Sequence, residues 1–384
     1  MTQPRVLIAG MGDTGVLTAI GLARHADVVG VSVKPALVSG QELGWRLARP
    51  DDWARHYRIG YGRFRGLDRV RTVHARLTGL DPAERCVTVA LPDGSSTALG
   101  YDALVIATGV RNGFWRQPTL QTAAQIDEEI RHAHRRVADA QSVIVVGGGA
   151  AAVSSAAQIA LAWPDKRVDL YFPGSRALTG HHARTWNAVR RRLIDAGVGI
   201  HPGHRAQLPP GFAADELTGG PVHWSTGQPP SSADVVLWTI GRVTPNTAWL
   251  PDEYLDPDGF VRVTDTLQVP GHPDIFAVGD VAATDPLRSS ARNRADGLVV
   301  HNVRAFLGGA SMRRYRPPAR RWGSVLGLQP DGLEVFTPNG RAVRVPVWAF
   351  EPVLMRAIVR RGIYRGIRGR ESAVKVVNGP AELR

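Results

Sequence analysis

The chain of 384 residues has a single cysteine, Cys86, and lacks any long apolar run. One cysteine cannot form an internal disulfide or supply the paired thiols of a disulfide reductase, so that class of enzyme is excluded. Cys86 lies in a strand-like run, and we assign it no redox role. The longest apolar runs, such as Ser142–Val146, have the length of a strand. They fall far below the roughly 20 residues that a membrane-spanning helix requires.

The beginning of the chain shows no basic segment followed by an apolar stretch, which is the pattern of a secretory signal. We expect a cytoplasmic location, with the inner face of the membrane as an alternative. The apolar content of 43% is ordinary for a globular protein, and a chain of this length suits two or three domains.

In one C-terminal region, acidic residues are far fewer than basic ones. The net charge is +13, and residues 312–370 contain thirteen arginines against three acidic residues, a local excess of ten positive charges. These arginines alternate with apolar residues such as Trp348 and Ile358, a mixture typical of a membrane surface or of a site for an acidic partner. We do not expect a nucleic-acid partner, because the excess is confined to this region.

Two segments repeat the order strand, glycine-rich turn, helix, strand. In the first, Arg5–Ala9 precedes the turn from Gly10 to Gly15, a helical stretch over 16–25 and a strand over 28–33. In the second, Ser142–Val146 precedes the turn from Gly147 to Ala152, a helix to about residue 163 and the strand Arg167–Phe172.

This repeated pattern meets a physical requirement. The first glycine permits a tight turn, the second lets a pyrophosphate approach the backbone, and the third position must be small so that helix packs on strand. The pyrophosphate then lies at a helix N-terminus, which favours anions. Two copies predict two dinucleotide-binding folds, with these residues at the three positions: Gly10, Gly12 and Gly15 in the first copy, and Gly147, Gly149 and Ala152 in the second.

Three further apolar strands end in small or acidic residues, as buried parallel strands beside a ligand do. They precede Thr108-Gly109, Gly241, and Asp280-Val281. A helix-like run is expected from about Arg288 to Leu307.

Together these segments resemble the FAD- and NAD(P)-binding pyridine nucleotide oxidoreductases, and among them the type II NADH dehydrogenases and the apoptosis-inducing-factor-like quinone reductases. The resemblance covers about residues 4–310, with a weaker extension to about 370. Its most specific element is the block from Gly259-Phe260-Val261 to Ala277-Val278-Gly279-Asp280. The resemblance implies FAD as cofactor and NADH or NADPH as substrate.

Individual roles follow from the resemblance. Asp280 would hydrogen-bond the FAD ribityl chain, the first glycine turn would hold the FAD pyrophosphate, and Leu77 would contact adenine through its backbone. The helix from about Arg288 would aim its N-terminus at the flavin pyrimidine. The complete set of expected cofactor-binding residues is Gly10, Gly12, Asp13, Thr14, Gly15, Ser32, Lys34, Leu77, Thr108, Gly109, Gly147, Gly149, Ala152, Gly241, Asp280 and Val281.

The chain departs from the family pattern at three positions. Ser32, followed by Lys34, stands where an acid usually binds the adenosine ribose of FAD. Phe172 replaces the corresponding acid in the nicotinamide domain, while Lys166, Arg176 and Arg184 are nearby bases for a 2′-phosphate. Ser154 occupies the place of a glutamate that helps seat the nicotinamide.

The expected fold is α/β, with two Rossmann-like dinucleotide-binding domains and a C-terminal β-meander plus helix. The FAD domain would consist of residues 1–112 and 246–311, the NAD(P)H domain of 113–245, and the C-terminal interface or membrane-surface region of 312–384. In the C-terminal helix, Val353, Leu354, Ala357 and Ile358 would face one way and Arg356, Arg360 and Arg361 the other.

The sequence predicts an FAD-dependent oxidoreductase that passes a hydride from NAD(P)H to FAD and electrons onward to a diffusible acceptor, with a quinone favoured. Such transfer needs no catalytic side chain, because the cofactors carry the chemistry, and no metal site is expected. One alternative is a soluble reductase for a ferredoxin or an oxygenase partner, and another is a redox-sensing flavin-binding module. Further expected partners are an anionic membrane surface and a second copy of the chain in a homodimer.

Overall fold

The computed structural model describes residues 3–241, 243–284, 295–317 and 320–370, and the backbone of 376–377. Its helices are α1 (Asp13–Leu22), α2 (Leu43–Ala48), α3 (Pro50–Tyr57), α4 (Ala123–Asp139), α5 (Ala150–Ala162), α6 (Ala183–Asp195), α7 (Ala295–Gly308) and α8 (Val347–Ala349), which continues as the π-helix Phe350–Ile363.

The strands, in chain order, are β1 (Arg5–Ala9), β2 (Asp27–Ser32), β3 (Ala36–Val38), β4 (Arg58–Gly60), β5 (Val70–His74), β6 (Arg76–Asp81), β7 (Cys86–Ala90), β8 (Ser96–Gly100), β9 (Ala103–Ile106), β10 (Val110–Arg111), β11 (Ser142–Val146), β12 (Arg167–Phe172), β13 (Gly199–Pro202), β14 (Thr218–Val222), β15 (Ser231–Trp238), β16 (Thr244–Pro245), β17 (Gln268–Val269), β18 (His272–Ala277), β19 (Leu328–Gln329), β20 (Gly332–Phe336), β21 (Ala342–Val345) and β22 (Val376–Val377).

The first sheet has the order β17-β18-β9-β1-β2-β5-β22. All of its pairings are parallel except that of β17 with β18. β1 is apolar and buried from Val6 to Ala9, because helices cover one face of the sheet and the antiparallel meander β6-β7-β8 covers the other. The carboxyl ends of the parallel strands therefore meet at one edge, where ligands of such folds bind.

The second sheet has the order β13-β12-β11-β15-β14 and is parallel except for β14. The chain passes from the first sheet to this one after β9 and returns after β15. These two passages pair with each other as the antiparallel strands β10 and β16. The predicted α/β class with two Rossmann-like sheets is confirmed.

The C-terminal region forms the predicted meander, β19-β20-β21, although its first strand has only two residues. A core joins this region to α2, α3 and α4 through Trp45, Trp53, Ile130, Phe350 and Met355. Among the described residues, no helix combines the length and the apolarity that crossing a bilayer requires.

The expected division of the C-terminal helix into an apolar and a basic side is wrong. Val353, Ala357 and Ile358 are exposed together with Arg356 and Arg361, while Met355 is buried. The cause is the π-helical winding, which changes the residue spacing along each face from that of an α-helix.

Candidate functional site

A cavity of about 640 Å³ opens at the carboxyl ends of β1, β2 and β9. Its volume is within the range of ~300–1,000 Å³ in which proteins hold small molecules and cofactors. Its walls come from the first glycine turn, the ends of β2 and β18, the start of β6, and both passages between the sheets. Ten residues of the predicted set line it: Gly10, Gly12, Asp13, Thr14, Ser32, Lys34, Leu77, Thr108, Gly109 and Asp280.

The first glycine turn has the geometry of a phosphate cradle. Gly10 has a φ of +103°, and a Cβ there would lie 2.5 Å from the carbonyl oxygen of Ala107. A Cβ on Gly15 would lie 1.9 Å from the carbonyl oxygen of Gly10. Gly12, by contrast, has no atom within 4 Å of an added Cβ, because it faces the cavity at the N-terminus of α1. These features fit a dinucleotide whose pyrophosphate lies against the turn.

Asp13 begins α1 and connects the cradle to the C-terminal region. Its carboxylate accepts hydrogen bonds from Ser39 Oγ at 3.0 Å and from the Tyr364 hydroxyl at 3.2 Å. Burial raises the pKa of Asp13, against the opposing effects of these hydrogen bonds and of Arg116. Tyr364 also packs edge-on against Phe64, with ring centroids 5.2 Å apart. The C-terminal region thus packs against the start of α1, next to the first glycine turn.

Asp280, at the end of the strand predicted to carry it, forms an ion pair with Arg116 at 2.9 Å. Arg116 belongs to the passage between the sheets, so this pair ties the passage to the floor of the cavity. Val281 is fully buried in the core beside the first sheet, and its carbonyl accepts a hydrogen bond from the Val261 amide. Its side chain is not among those that line the cavity.

Ser32 at the end of β2 is held by neighbours on both sides. Its Oγ lies 3.0 Å from the Tyr61 hydroxyl and accepts a hydrogen bond from the Lys34 amide at 3.1 Å. The Tyr61 hydroxyl also donates to the Met11 carbonyl at 3.0 Å. Burial lowers the pKa of the Lys34 ammonium to about 8. This end of the cavity therefore holds an incompletely solvated cation, which favours an anionic ligand.

Several polar residues that the sequence did not indicate also line the cavity. Arg46 is buried, donates to the Trp115 carbonyl at 3.2 Å and lies over the Trp53 ring. Burial lowers its pKa to about 10. Arg116, Gln121 and Glu129 line it as well. Arg46 and Glu129 lie on helices and Gln121 and Arg116 on the passage after β9, so no local spacing connects them to the glycine turn.

The second glycine turn lies at the carboxyl end of β11. A Cβ on Gly147 would lie 2.2 Å from the Thr239 carbonyl oxygen, whereas Gly149 has no atom within 4 Å of an added Cβ. Ala152 is fully buried, as the small third position of the motif should be. Gly241 follows β15 with a φ of +73°. This arrangement repeats the first turn on the second sheet.

One expectation about the nicotinamide site is wrong. Lys166 precedes β12 and donates to the carbonyl oxygens of Ala138 and Ala140. It therefore lies at the amino ends of the strands, opposite the glycine turn. Phe172, which stands in the place of the missing acid, is 1% exposed and packs edge-on against Trp186, so its side chain belongs to the core. The expected start of the last helix near Arg288 lies outside the described residues.

Ser154, which takes the place of a family glutamate, is buried where α5 meets α2. A Cβ on Gly44 would lie 2.2 Å from the Ser154 carbonyl oxygen. Ser154 is itself only 5% exposed, so a longer glutamate side chain at this position would have to displace neighbouring atoms. The contact also brings the helix of the second glycine turn against α2, whose Arg46 lines the cavity.

The fold and the two glycine turns define an oxidoreductase class with two dinucleotide-binding sheets. The chain belongs to the pyridine nucleotide-disulphide oxidoreductase family, whose model matches residues 4–300. Membership confirms that the protein uses a flavin and a nicotinamide dinucleotide, as the resemblance implied.

Similar proteins include oxidoreductase ptaL of Pestalotiopsis fici, 26% identical over 84% of this chain and 88% of that protein. The ferredoxin reductase for the CYP199A2 system of Rhodopseudomonas palustris matches with a TM-score of 0.61 and 19% identity, over 89% of each chain. The water-forming NADH oxidase of Lactobacillus brevis matches with a TM-score of 0.60 and 16% identity, over 91% of this chain and 77% of that one. Both structures share the fold.

Proposed function

We propose that the protein is an NAD(P)H:acceptor oxidoreductase that binds FAD in the cavity of the first sheet and reduces a small diffusible acceptor, preferably a quinone. The observation that carries the proposal is the cavity formed by the first glycine turn, Asp280 and the passages to the second sheet. When bound, FAD supplies the centre that accepts a hydride from the dihydronicotinamide and releases electrons to the acceptor.

The protein's own contribution is binding and alignment. The amides at the start of α1 bind the pyrophosphate, because Gly12 leaves the space in front of them open. Asp280, fixed by Arg116, accepts a hydrogen bond from the ribityl chain. The aromatic residues Tyr61 and Trp115, both buried, exclude water from the walls. No side chain needs to move a proton for the hydride transfer.

The nicotinamide site accepts NADPH at least as well as NADH in this proposal. Arg176 follows β12 on the side of the glycine turn and makes only weak bonds, of 3.4 and 3.5 Å, to the carbonyl oxygens of His181 and Thr179. It is therefore available to a 2′-phosphate, together with the exposed Arg184. Arg176→Ala should lower kcat/KM for NADPH about tenfold, equal to about 1.4 kcal/mol, with NADH little affected. Arg191→Ala on α6 is the control, and a wild-type preference for NADH above about tenfold would contradict the assignment.

A quinone is favoured because the C-terminal surface combines exposed apolar side chains with arginines. Trp348 is 76% exposed and Ile358 49%, next to the exposed Arg356 and Arg361. A membrane interface suits this mixture and would bring a hydrophobic quinone to the enzyme. The alternative is a reductase for an acidic ferredoxin, since the same basic surface could bind such a partner. The likeness to a ferredoxin reductase is compatible with this alternative. A redox-sensing module would bind the same cofactors without turnover.

An anaerobic reduction experiment tests the proposal. Purified protein is titrated with NADH or NADPH while the flavin absorbance is followed, and the reduced protein is then mixed with a short-chain quinone, a ferredoxin or oxygen. Bleaching followed by fastest reoxidation with the quinone is expected. Fastest reoxidation by ferredoxin would favour the alternative reductase, and bleaching without multiple turnovers with any acceptor would favour the sensing module.

A further inference from the structure

At the end of β2, the first sheet lacks the acid that would bind the two hydroxyls of the FAD adenosine ribose. Ser32 stands there, and its Oγ is already engaged by Tyr61 and the Lys34 amide. A short hydroxyl that is bonded on two sides offers little to a diol, whereas a carboxylate could accept from both hydroxyls at once.

A carboxylate reaches the same place from another part of the chain. The Gln121 amide donates to the Val33 carbonyl at 3.0 Å, which fixes the passage after β9 against the end of β2. The buried Gln121 side chain then donates through Nε2 to Glu129 Oε1 on α4. Glu129, Gln121, Ser32 and Lys34 all line the same cavity. Within the described residues, Glu129 Oε2 has no protein hydrogen-bond partner, and no cation lies within ion-pair distance of this carboxylate.

Packing of α4 fixes the backbone at position 129, although the Glu129 side chain itself is exposed. A capping box between Thr122 and Gln125 fixes the first turn of the helix. Ile126 and Ile130 pack on the core that includes Trp53, while Ala133 and Val137 pack on the core of the second sheet. A residue at position 129 is therefore positioned by both halves of the molecule.

We infer that Glu129 binds the adenosine ribose diol of FAD, in place of the acid that β2 lacks. The inference rests on the proposed placement of FAD in this cavity and is independent of the electron acceptor. It implies that the adenosine end of FAD bridges the first sheet and α4.

The alternative is that Glu129 serves only as a counter-ion to Lys34 and Arg46. The two roles predict opposite signs at pH 6, well below the pKa of about 8 of Lys34, whereas at higher pH the loss of Glu129 would also lower the pKa of Lys34 and weaken the binding of an anion. FAD is a dianion, so removal of a nearby negative charge that does not contact it should leave FAD binding unchanged or tighten it. Removal of a carboxylate that accepts hydrogen bonds from the ribose should weaken binding.

The experiment measures the FAD dissociation constant of the apoprotein at pH 6 by quenching of FAD fluorescence, for the wild type, Glu129→Gln and Glu128→Gln. Glu128 is the matched control, because it is adjacent on α4, 61% exposed and paired with Arg135 and Arg131. Each protein is titrated with FAD and with an FAD analogue whose adenosine ribose lacks the 2′-hydroxyl. Circular dichroism verifies that the variants are folded.

We expect Glu129→Gln to raise the dissociation constant for FAD about tenfold, as for the loss of a hydrogen bond to a charged group, with Glu128→Gln at the wild-type value. The wild type should prefer FAD over the deoxy analogue, and Glu129→Gln should lose most of that preference. Unchanged or tighter FAD binding by Glu129→Gln, or an unchanged preference for FAD, would overturn the inference. If FAD did not bind in this cavity at all, Gly12→Val would retain FAD. This result would distinguish failure of the proposed FAD site from failure of the inference about Glu129.

Discussion

At the scale of single residues, the three glycines of the first turn have different physical roles. Gly10 needs a left-handed backbone, and Gly15 needs the absence of a Cβ because the carbonyl oxygen of Gly10 would lie 1.9 Å away. Neither reason applies to Gly12. The absence of a side chain there leaves empty space in the cavity. Substitution should therefore separate an effect on folding from an effect on the cofactor.

We predict that Gly12→Val folds normally but purifies without flavin, because the new side chain occupies the space of the pyrophosphate. Gly15→Val should instead reduce the stability of the whole protein, through the clash between α1 and the turn. Flavin absorbance and thermal unfolding of the apoprotein measure the two effects. Gly308→Val is the control, since a Cβ there meets no atom within 4 Å. Normal flavin content in Gly12→Val would show that the cofactor lies elsewhere.

From the buried ammonium of Lys34 we predict that both the stability of the apoprotein and its affinity for FAD depend on pH. Burial lowers its pKa to about 8 in the folded protein from an ordinary 10.5, so the apoprotein binds fewer protons than the unfolded chain between these values and gains stability as pH rises through them. A bound pyrophosphate favours the charged ammonium. FAD binding should then take up a proton, and its dissociation constant should rise above pH 8 by up to about tenfold per pH unit. Fluorescence titrations from pH 7 to 9.5 measure this. Lys34→Met should bind more weakly with a flat profile, and a flat wild-type profile would disprove the coupling.

At the scale of elements, the contact between α2 and α5 connects the cofactor cavity to the second glycine turn. The helices approach closely because Gly44 has no side chain, and a Cβ there would lie 2.2 Å from the Ser154 carbonyl oxygen. Ser154 and Ser155 are buried at this surface. Small residues on both helices thus set the distance between the two nucleotide-binding parts.

Gly44→Val should push α5 away from α2 and destabilise the protein by about 1–3 kcal/mol, the usual cost of overpacking. It should also slow flavin reduction at saturating NADPH, because α5 carries the second turn. Urea unfolding and stopped-flow bleaching measure the two effects. Gly79→Val in β6 is a suitable control, since the nearest atom to an added Cβ is 4.0 Å away. Wild-type values for both quantities would show that the contact does not set the geometry.

The sequence predicted the elements with a local signature. Both glycine turns, their strands and helices and the C-terminal meander were evident, because turn residues and apolar runs are local features. Arg46, Gln121 and Glu129 could not be found this way, since the folding of separate segments brings them to the end of β2. The orientation of the C-terminal helix also depends on winding that an α-helical period does not describe.

At the scale of the whole molecule, the basic C-terminal region is part of the folded body. Phe350 and Met355 belong to a core with Trp45 and Trp53, and Arg368 forms a bidentate ion pair with Asp68 at 2.8 and 2.6 Å. Removal of this region would expose the core and the first glycine turn, where Tyr364 contacts Asp13. Surface substitutions therefore test its role better than truncation.

We predict that the protein binds anionic vesicles at low salt through this surface. Each arginine near an anionic surface contributes about 1 kcal/mol, and the attraction decays over roughly 8–10 Å at physiological ionic strength. Sedimentation with anionic and neutral vesicles at low and high salt measures it. Trp348→Ser/Ile358→Ser and Arg356→Gln/Arg361→Gln should both sediment less than the wild type, the second mainly at low salt. The control Arg190→Gln/Ile194→Ser on α6 also removes one exposed arginine and one exposed apolar residue and should behave as the wild type. If all variants sediment equally, or if no protein sediments with the vesicles, this surface does not bind membranes. An acidic protein partner and the soluble reductase would then be favoured.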